Sequence, residues 1–186
     1  MPLFPLFIDL SEKKVLVVGG GDVATRKVKS LLPFTKKITV VAPKVGKELL
    51  GIVREEKLTL RKRPFLTKDL RGIDLVIVAG GSQCFQKRVF ELCKKRGIPC
   101  NTVDSPRYCS FIFPSLVVKG ELVIGISTSG KLPALSKRIR ERVERCLPED
   151  VENLLKRLGE RREKLPKGKR RQKYIKMLVE EAIPIS

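Results

Sequence analysis

The residues that invite chemistry begin with a glycine-rich corner. Gly19, Gly21 and Ala24 stand in the spacing G-x-G-x-x-A, the pattern by which a strand-to-helix turn receives a dinucleotide. The first glycine permits the tight turn. The second removes a Cβ so that bare backbone can approach a pyrophosphate, and the small third residue lets the helix close on the strand. Amides of the first helical turn then face the phosphates. Asp22 and Val23 lie on that turn, where Asp22 either contacts the cofactor or caps the helix. An acid about 20 residues further on ordinarily holds the ribose hydroxyls of NAD. Here that stretch reads Val41-Ala42-Pro43-Lys44. Backbone at Pro43 and Lys44 is placed to line an adenosine pocket, and Lys44 leaves NADP open beside NAD. Gly80, with Gly81, ends another apolar run. It either faces the cofactor across the crevice or forms an ordinary turn.

The remaining chemistry is constrained by what the chain lacks. It has no histidine, and its five cysteines, at 84, 93, 100, 109 and 146, include no C-x-x-C pair. Imidazole acid–base chemistry and the usual zinc ligand sets are thereby excluded, and no metal site is expected. The cysteines read as reduced thiols packed as small hydrophobes. Asp104 ends an apolar run. It is either a general base in a cleft emptied of water by its substrate, or the start of a turn before Ser105-Pro106. The loop Ser127-Thr128-Ser129-Gly130, followed by Lys131, is rich in hydroxyls. Forty Lys and Arg against 20 Asp and Glu give a net charge of +20, a field that gathers anions. Arg107, Lys131, Lys137 and Arg138 are candidates to meet carboxylates, or else a solvated face. Aromatic content of 5% and no helix-turn-helix pattern argue against nucleic acid as partner. No apolar run approaches the roughly 20 residues of a membrane span. The N-terminus lacks a basic stretch and a cleavage site, so a cytoplasmic protein is expected.

The elements that must position these residues are short. Val15–Val18, Ile38–Ala42, Leu75–Ala79 and Pro99–Val103 read as strands buried on both faces, with a weaker one at Leu58–Lys62. Between them, Val23, Ala24, Val28, Leu31 and Leu32 recur at helical spacing up to Pro33. A second helix, about Ser82 to Arg96, turns Phe85, Val89, Leu92 and Cys93 inward and stops at Gly97. This alternation predicts an α/β fold, a Rossmann-like doubly wound parallel sheet. The texture then changes. Ser115–Val118 and Leu122–Ile126 flank Lys119-Gly120 as a hairpin, and Pro133 opens a helix with a stripe of Leu135, Ile139, Val143 and Leu147. Beyond Pro148 the chain has helical propensity and is basic, with about eleven Lys or Arg between Lys156 and Lys176. The expected organisation is a dinucleotide-binding domain over 1–112, a small α+β segment over 113–147 and a basic helical tail over 148–186.

Five stretches, in order, resemble the precorrin-2 dehydrogenase family, which includes the N-terminal module of siroheme synthase. They are Val17-Val18-Gly19-Gly20-Gly21-Asp22-Val23-Ala24-Thr25-Arg26-Lys27, Thr39-Val40-Val41-Ala42-Pro43, Cys100-Asn101-Thr102-Val103-Asp104, Ser110-Phe111-Ile112-Phe113-Pro114-Ser115, and Ile126-Ser127-Thr128-Ser129-Gly130 leading to Pro133-Ala134-Leu135. The resemblance covers residues 1 to 147 well and the tail loosely. It implies NAD-dependent oxidation of precorrin-2, an octacarboxylate tetrapyrrole, to sirohydrochlorin, with ferrous iron insertion in some members. It further implies a homodimer formed through the segment after the Rossmann domain, an essential acid at Asp104, and a tetrapyrrole cleft lined by Ser127, Thr128 and Ser129. Ala79-Gly80-Gly81-Ser82 departs from the family, which often carries an acid or amide there. Two other readings remain on the same residues. One is a non-catalytic nucleotide-sensing or nucleic-acid-binding regulator, the other a chelatase that does not oxidise.

Overall fold

Runs of four valines and leucines are too short to make helices, and β-branched side chains favour a pleated backbone. In the computed structural model, which describes residues 3–103 and 105–184, such runs form the centre of a sheet. Its strands are β1 (Val15–Val18), β2 (Ile38–Val41), β3 (Thr59–Arg61), β4 (Leu75–Val78) and β5 (Cys100–Thr102). All pairings are parallel, in the order β3-β2-β1-β4-β5. The chain winds outward from β1 to β3, then returns to start again at β4, so β1 and β4 flank the switch point where such sheets bind ligands.

The pleat sorts the side chains. Val15, Val17 and Val40 pack on one face with Ala24, Val28 and Leu31 of α1 (Asp22–Leu31) and with Leu49 and Val53 of α2 (Lys47–Glu55). Leu16, Val18, Val76 and Val78 face the other way, onto Val89 and Cys93 of α3 (Gln83–Lys94). Helix α2 was not foreseen. Gly51 interrupts a brief apolar pattern, and glycine is a poor helix former; packing of Leu49 and Val53 on the sheet outweighs that deficit.

Between β3 and β4 a single 3-10 turn, Thr67–Leu70, drives Asp69 inward. Its side chain is wholly buried. Arg61 Nη1 approaches it at 2.6 Å, Arg63 donates at 2.6 and 2.7 Å, and the Leu66 amide donates at 2.8 Å. The Arg63 guanidinium is the main reason this carboxyl is held far below the ordinary carboxylate range.

The chain divides into two compact units, Met1–Phe113 and Pro114–Ser186. The second opens with an antiparallel hairpin of β6 (Ser115–Lys119) and β7 (Leu122–Ile126), turned at Gly120 with φ +55°. Helix α4 (Pro133–Cys146) packs on the hairpin, and the basic tail forms two helices, α5 (Val151–Lys164) and α6 (Lys169–Ala182). Pro148 separates α4 from α5, and Gly168, at φ +156°, precedes α6. Among the described residues of this unit, Val117, Val151 and Ser136 are the buried side chains. Leu135 and Ile139 from the α4 stripe are exposed, as are Leu155, Tyr174 and Met177. Among the described residues no helix is long and apolar enough to cross a membrane.

Candidate dinucleotide site

The β1–α1 corner is built by three adjacent glycines with different surroundings. Gly19 has φ +135°, and a Cβ there would lie 2.5 Å from the carbonyl oxygen of Ala79, just past β4. Gly20 is pressed against the loop after β2, where a Cβ would lie 2.1 Å from the Lys44 carbonyl oxygen. The Gly46 amide donates to Gly20 O at 2.8 Å. Gly21 is exposed, and a Cβ on it would meet nothing within 4 Å. The corner therefore offers uncovered backbone at one residue only, with its neighbours locked by β2 and β4. Thr25 fixes it from below, its hydroxyl donating to Gly21 O at 3.1 Å beside the helical amide bond. A bare, anchored turn at a helix N-terminus suits the pyrophosphate of a dinucleotide.

Gly21 is the N-cap of α1, so Asp22 is the first helical residue. Its exposed carboxylate accepts no hydrogen bond among the described residues, and it therefore does not cap the helix through its side chain. It still complements the positive end of the helix dipole. Val23 packs its side chain against the core, leaving its backbone in the first turn. Pro43 and Lys44 are exposed on the loop that leans on Gly20. Gly80 and Gly81, with φ of +153° and +85°, follow Ala79 at the end of β4. Thus Gly19, Gly21, Asp22, Val23, Pro43, Lys44 and Gly80 collect at the carboxyl ends of β1, β2 and β4.

A polar network not anticipated from the sequence braces this edge. Gln86 is buried on α3; its amide donates to Gly81 O at 3.3 Å, and Ser105 Oγ donates to its Oε1 at 2.5 Å. Thr102 Oγ1 lies 3.0 and 2.9 Å from the carbonyl oxygens of Ser105 and Tyr108, and Cys109 Sγ accepts from the Thr102 amide at 3.3 Å. The loops after β4 and β5 are tied together by these contacts. The readable signal was Gln86, a polar residue among the inward positions of α3. Asp104 itself lies outside the described residues. Cys109 is used structurally, as a partner of Thr102.

In the second unit, the loop after β7 is shaped by its own hydroxyls. Ser127 Oγ accepts from the Ser129 amide at 2.9 Å, and Thr128 Oγ1 accepts from the Leu132 amide at 3.1 Å. Ser129 takes φ +53° and Gly130 +77°, an arrangement that turns the chain into α4. Lys131, Lys137 and Arg138 are exposed, and Arg138 pairs with Glu141 at 3.5 Å.

Comparison with known proteins bears on this geometry. Residues 6–115 match a family described as "Putative NAD(P)-binding". The siroheme synthase of Pseudoalteromonas translucida is 40% identical over 165 residues, which are 89% of this chain and 35% of that protein. A siroheme synthase of Neisseria meningitidis serogroup C is 38% identical over 151 residues, 81% of this chain and 32% of that one. The chain thus spans about a third of the length of the curated relatives it matches. Among solved structures, SirC, precorrin-2 dehydrogenase, superposes with a TM-score of 0.80 at 27% identity, covering 99% of this chain and 93% of that one. The five-stranded parallel sheet and the bare glycine corner are what such a match requires, and the chain belongs to this NAD(P)-binding family, alongside siroheme synthases and precorrin-2 dehydrogenase.

Proposed function

We propose that this chain is a precorrin-2 dehydrogenase, oxidising precorrin-2 to sirohydrochlorin with NAD. The observation that carries the reading is the corner at Gly21: uncovered backbone, at the switch point of the sheet, in a chain whose relatives are siroheme synthases. When bound, the nicotinamide supplies a hydride acceptor. The protein's part is to hold the pyrophosphate on the amides of α1, to line the adenosine with the Pro43-Lys44 backbone, and to keep the loops after β4 and β5 in register through Gln86 and Ser105. Asp104 is assigned the proton that leaves the macrocycle as the hydride departs. Ser127, Thr128, Ser129 and Lys131 are assigned to the tetrapyrrole, Lys131 as a counter-charge to a carboxylate. The chain works as a homodimer in the cytoplasm. An open apolar groove lined by Leu122, Ile124, Leu154, Leu158, Ile175 and Val179, with so few buried side chains in the second unit, supports a covering partner copy.

The experiment mixes enzymatically prepared precorrin-2, NAD and the protein. Absorbance from NADH and from sirohydrochlorin should rise together, in equal molar amounts. Absence of turnover with both NAD and NADP overturns the reading. Within it, Asp104→Ala should lower kcat by roughly two to four orders of magnitude with dinucleotide affinity unchanged, and a fully active variant removes Asp104 from the mechanism.

A further inference from the structure

We propose that Gln86 is a positioning residue for the oxidation: it ties the loop after β4 to the turn that follows Asp104, and so holds the two sides of the hydride and proton transfer in one geometry. The inference rests on the dehydrogenase reading above and deepens it.

A glutamine is a costly side chain for the inward face of a helix. Gln86 is 6% exposed and shares that face of α3 with Val89 and Cys93, both sealed in the core. A leucine there would carry no polar atoms to desolvate. The cost is offset because both ends of the amide are satisfied. Nε2 donates to Gly81 O, five residues back, and Oε1 accepts from Ser105 Oγ, 19 residues ahead. One buried side chain thus spans two loops at the carboxyl ends of adjacent strands, on the β4 side of the switch point.

Each loop depends on that bridge. On the β4 side, Gly80 and Gly81 have no side chains with which to anchor their own backbone, and the Gly81 carbonyl is where α3 reaches it. On the β5 side, Asp104 lies outside the described residues, but both its neighbours in sequence are held. The Val103 amide donates to Val78 O at 3.0 Å, at the end of β4. Ser105 is buried, its carbonyl oxygen lies 3.0 Å from Thr102 Oγ1, and its hydroxyl ends on Gln86. Val103 is therefore registered by the sheet and Ser105 by α3. Cutting the bridge frees Ser105 from the helix without touching the glycine corner at Gly21. Transfer of a hydride and a proton is sensitive to such freedom, since a misplacement of about 1 Å costs on the order of a hundredfold in rate.

The test uses the intact chain in the precorrin-2 assay, at a temperature where circular dichroism shows every variant folded. Gln86→Leu should lower kcat by on the order of a hundredfold, with KM for precorrin-2 and Kd for NAD within about threefold of native. Ser105→Ala cuts the same bridge from the other side, and the double variant should be no slower than the slower single one. In an Asp104→Ala background Gln86→Leu should lower the residual kcat by less than about twofold, whereas a side chain that merely stabilises the fold would act alike in both backgrounds. Should Gln86→Leu fail to fold, Ser105→Ala, the smaller change, carries the same comparisons. Native kcat in the variants, or an equal further loss in the Asp104→Ala background, overturns the proposal and leaves the dehydrogenase standing. Absence of turnover by the native chain overturns the dehydrogenase reading and this proposal with it.

Discussion

At the β1–α1 corner, a methyl group added at three successive residues would meet three different surroundings. At Gly20 it would collide with the Lys44 carbonyl, and at Gly19 with that of Ala79 on a backbone of positive φ. At Gly21, where φ is −92°, it would meet open space. Gly20→Ala should therefore cost about 2 kcal/mol or more of stability, seen as a fall of several degrees in Tm. Gly21→Ala should melt with the native protein, yet bind NAD at least about tenfold more weakly because its Cβ stands where the pyrophosphate must approach. Calorimetric melting and titration of both variants separate the two effects; a Gly21→Ala protein with native affinity would remove the phosphate from this corner. The sequence announced Gly19 and Gly21 because backbone geometry restricts which residues fit a tight turn. It was silent on Gly20, whose need for smallness comes from a loop more than twenty positions away. It was equally silent on the Gln86–Ser105 bond, which joins a helix to a loop through tertiary packing alone.

Elements that touch the core on a regular period were legible in the sequence, and those held by isolated contacts were not. Strands β1, β2 and β4 announce themselves because both faces are buried. Helix α2 inserts only Leu49 and Val53 fully, across a glycine, so its pattern is weak. The 3-10 turn that buries Asp69 follows from no periodicity; it exists because two arginines and the Leu66 amide satisfy one carboxylate. That carboxyl titrates below its unfolded value, so its stabilisation is fully present above about pH 4 and is lost as acid carries the solution down through the lowered folded value. Asp69→Asn should destabilise by roughly 3 kcal/mol at neutral pH, measured by urea unfolding, and the difference from the native chain should shrink steadily below pH 4. A constant difference down to pH 2 would contradict the ionised assignment. The thiols give a second check on the same packing. Cys84 and Cys146 are exposed, whereas Cys93 and Cys100 are sealed between α3 and β5. The native fold should therefore let iodoacetamide modify Cys84 and Cys146 within minutes and spare Cys93 and Cys100 until denaturant is added, as peptide mass spectrometry would read.

The molecule as a whole carries +20, and this charge bears on the proposed substrate, whose acetate and propionate arms are ionised at neutral pH. A field of that size raises the encounter rate of a polyanion without strengthening the chemical step. Salt separates the two contributions, because the Debye length falls from about 10 Å at 0.1 M to about 3 Å at 1 M. Over that range kcat/KM for precorrin-2 should fall by roughly tenfold or more, while kcat changes little and circular dichroism stays constant. The charge is not spread evenly: between Lys156 and Lys176 about eleven Lys and Arg face only Glu160 and Glu163. If α5 and α6 carry the steering field, replacing the exposed Arg161, Lys164 and Lys173 together by Glu should flatten the salt dependence of kcat/KM and lower its low-salt value. NAD affinity, set at the glycine corner of the other unit, should hold. An unchanged salt slope in that triple variant would instead assign the steering to cations such as Lys131, Lys137 and Arg138 in and beyond the loop after β7, which lie nearer in sequence to the residues proposed to hold the tetrapyrrole.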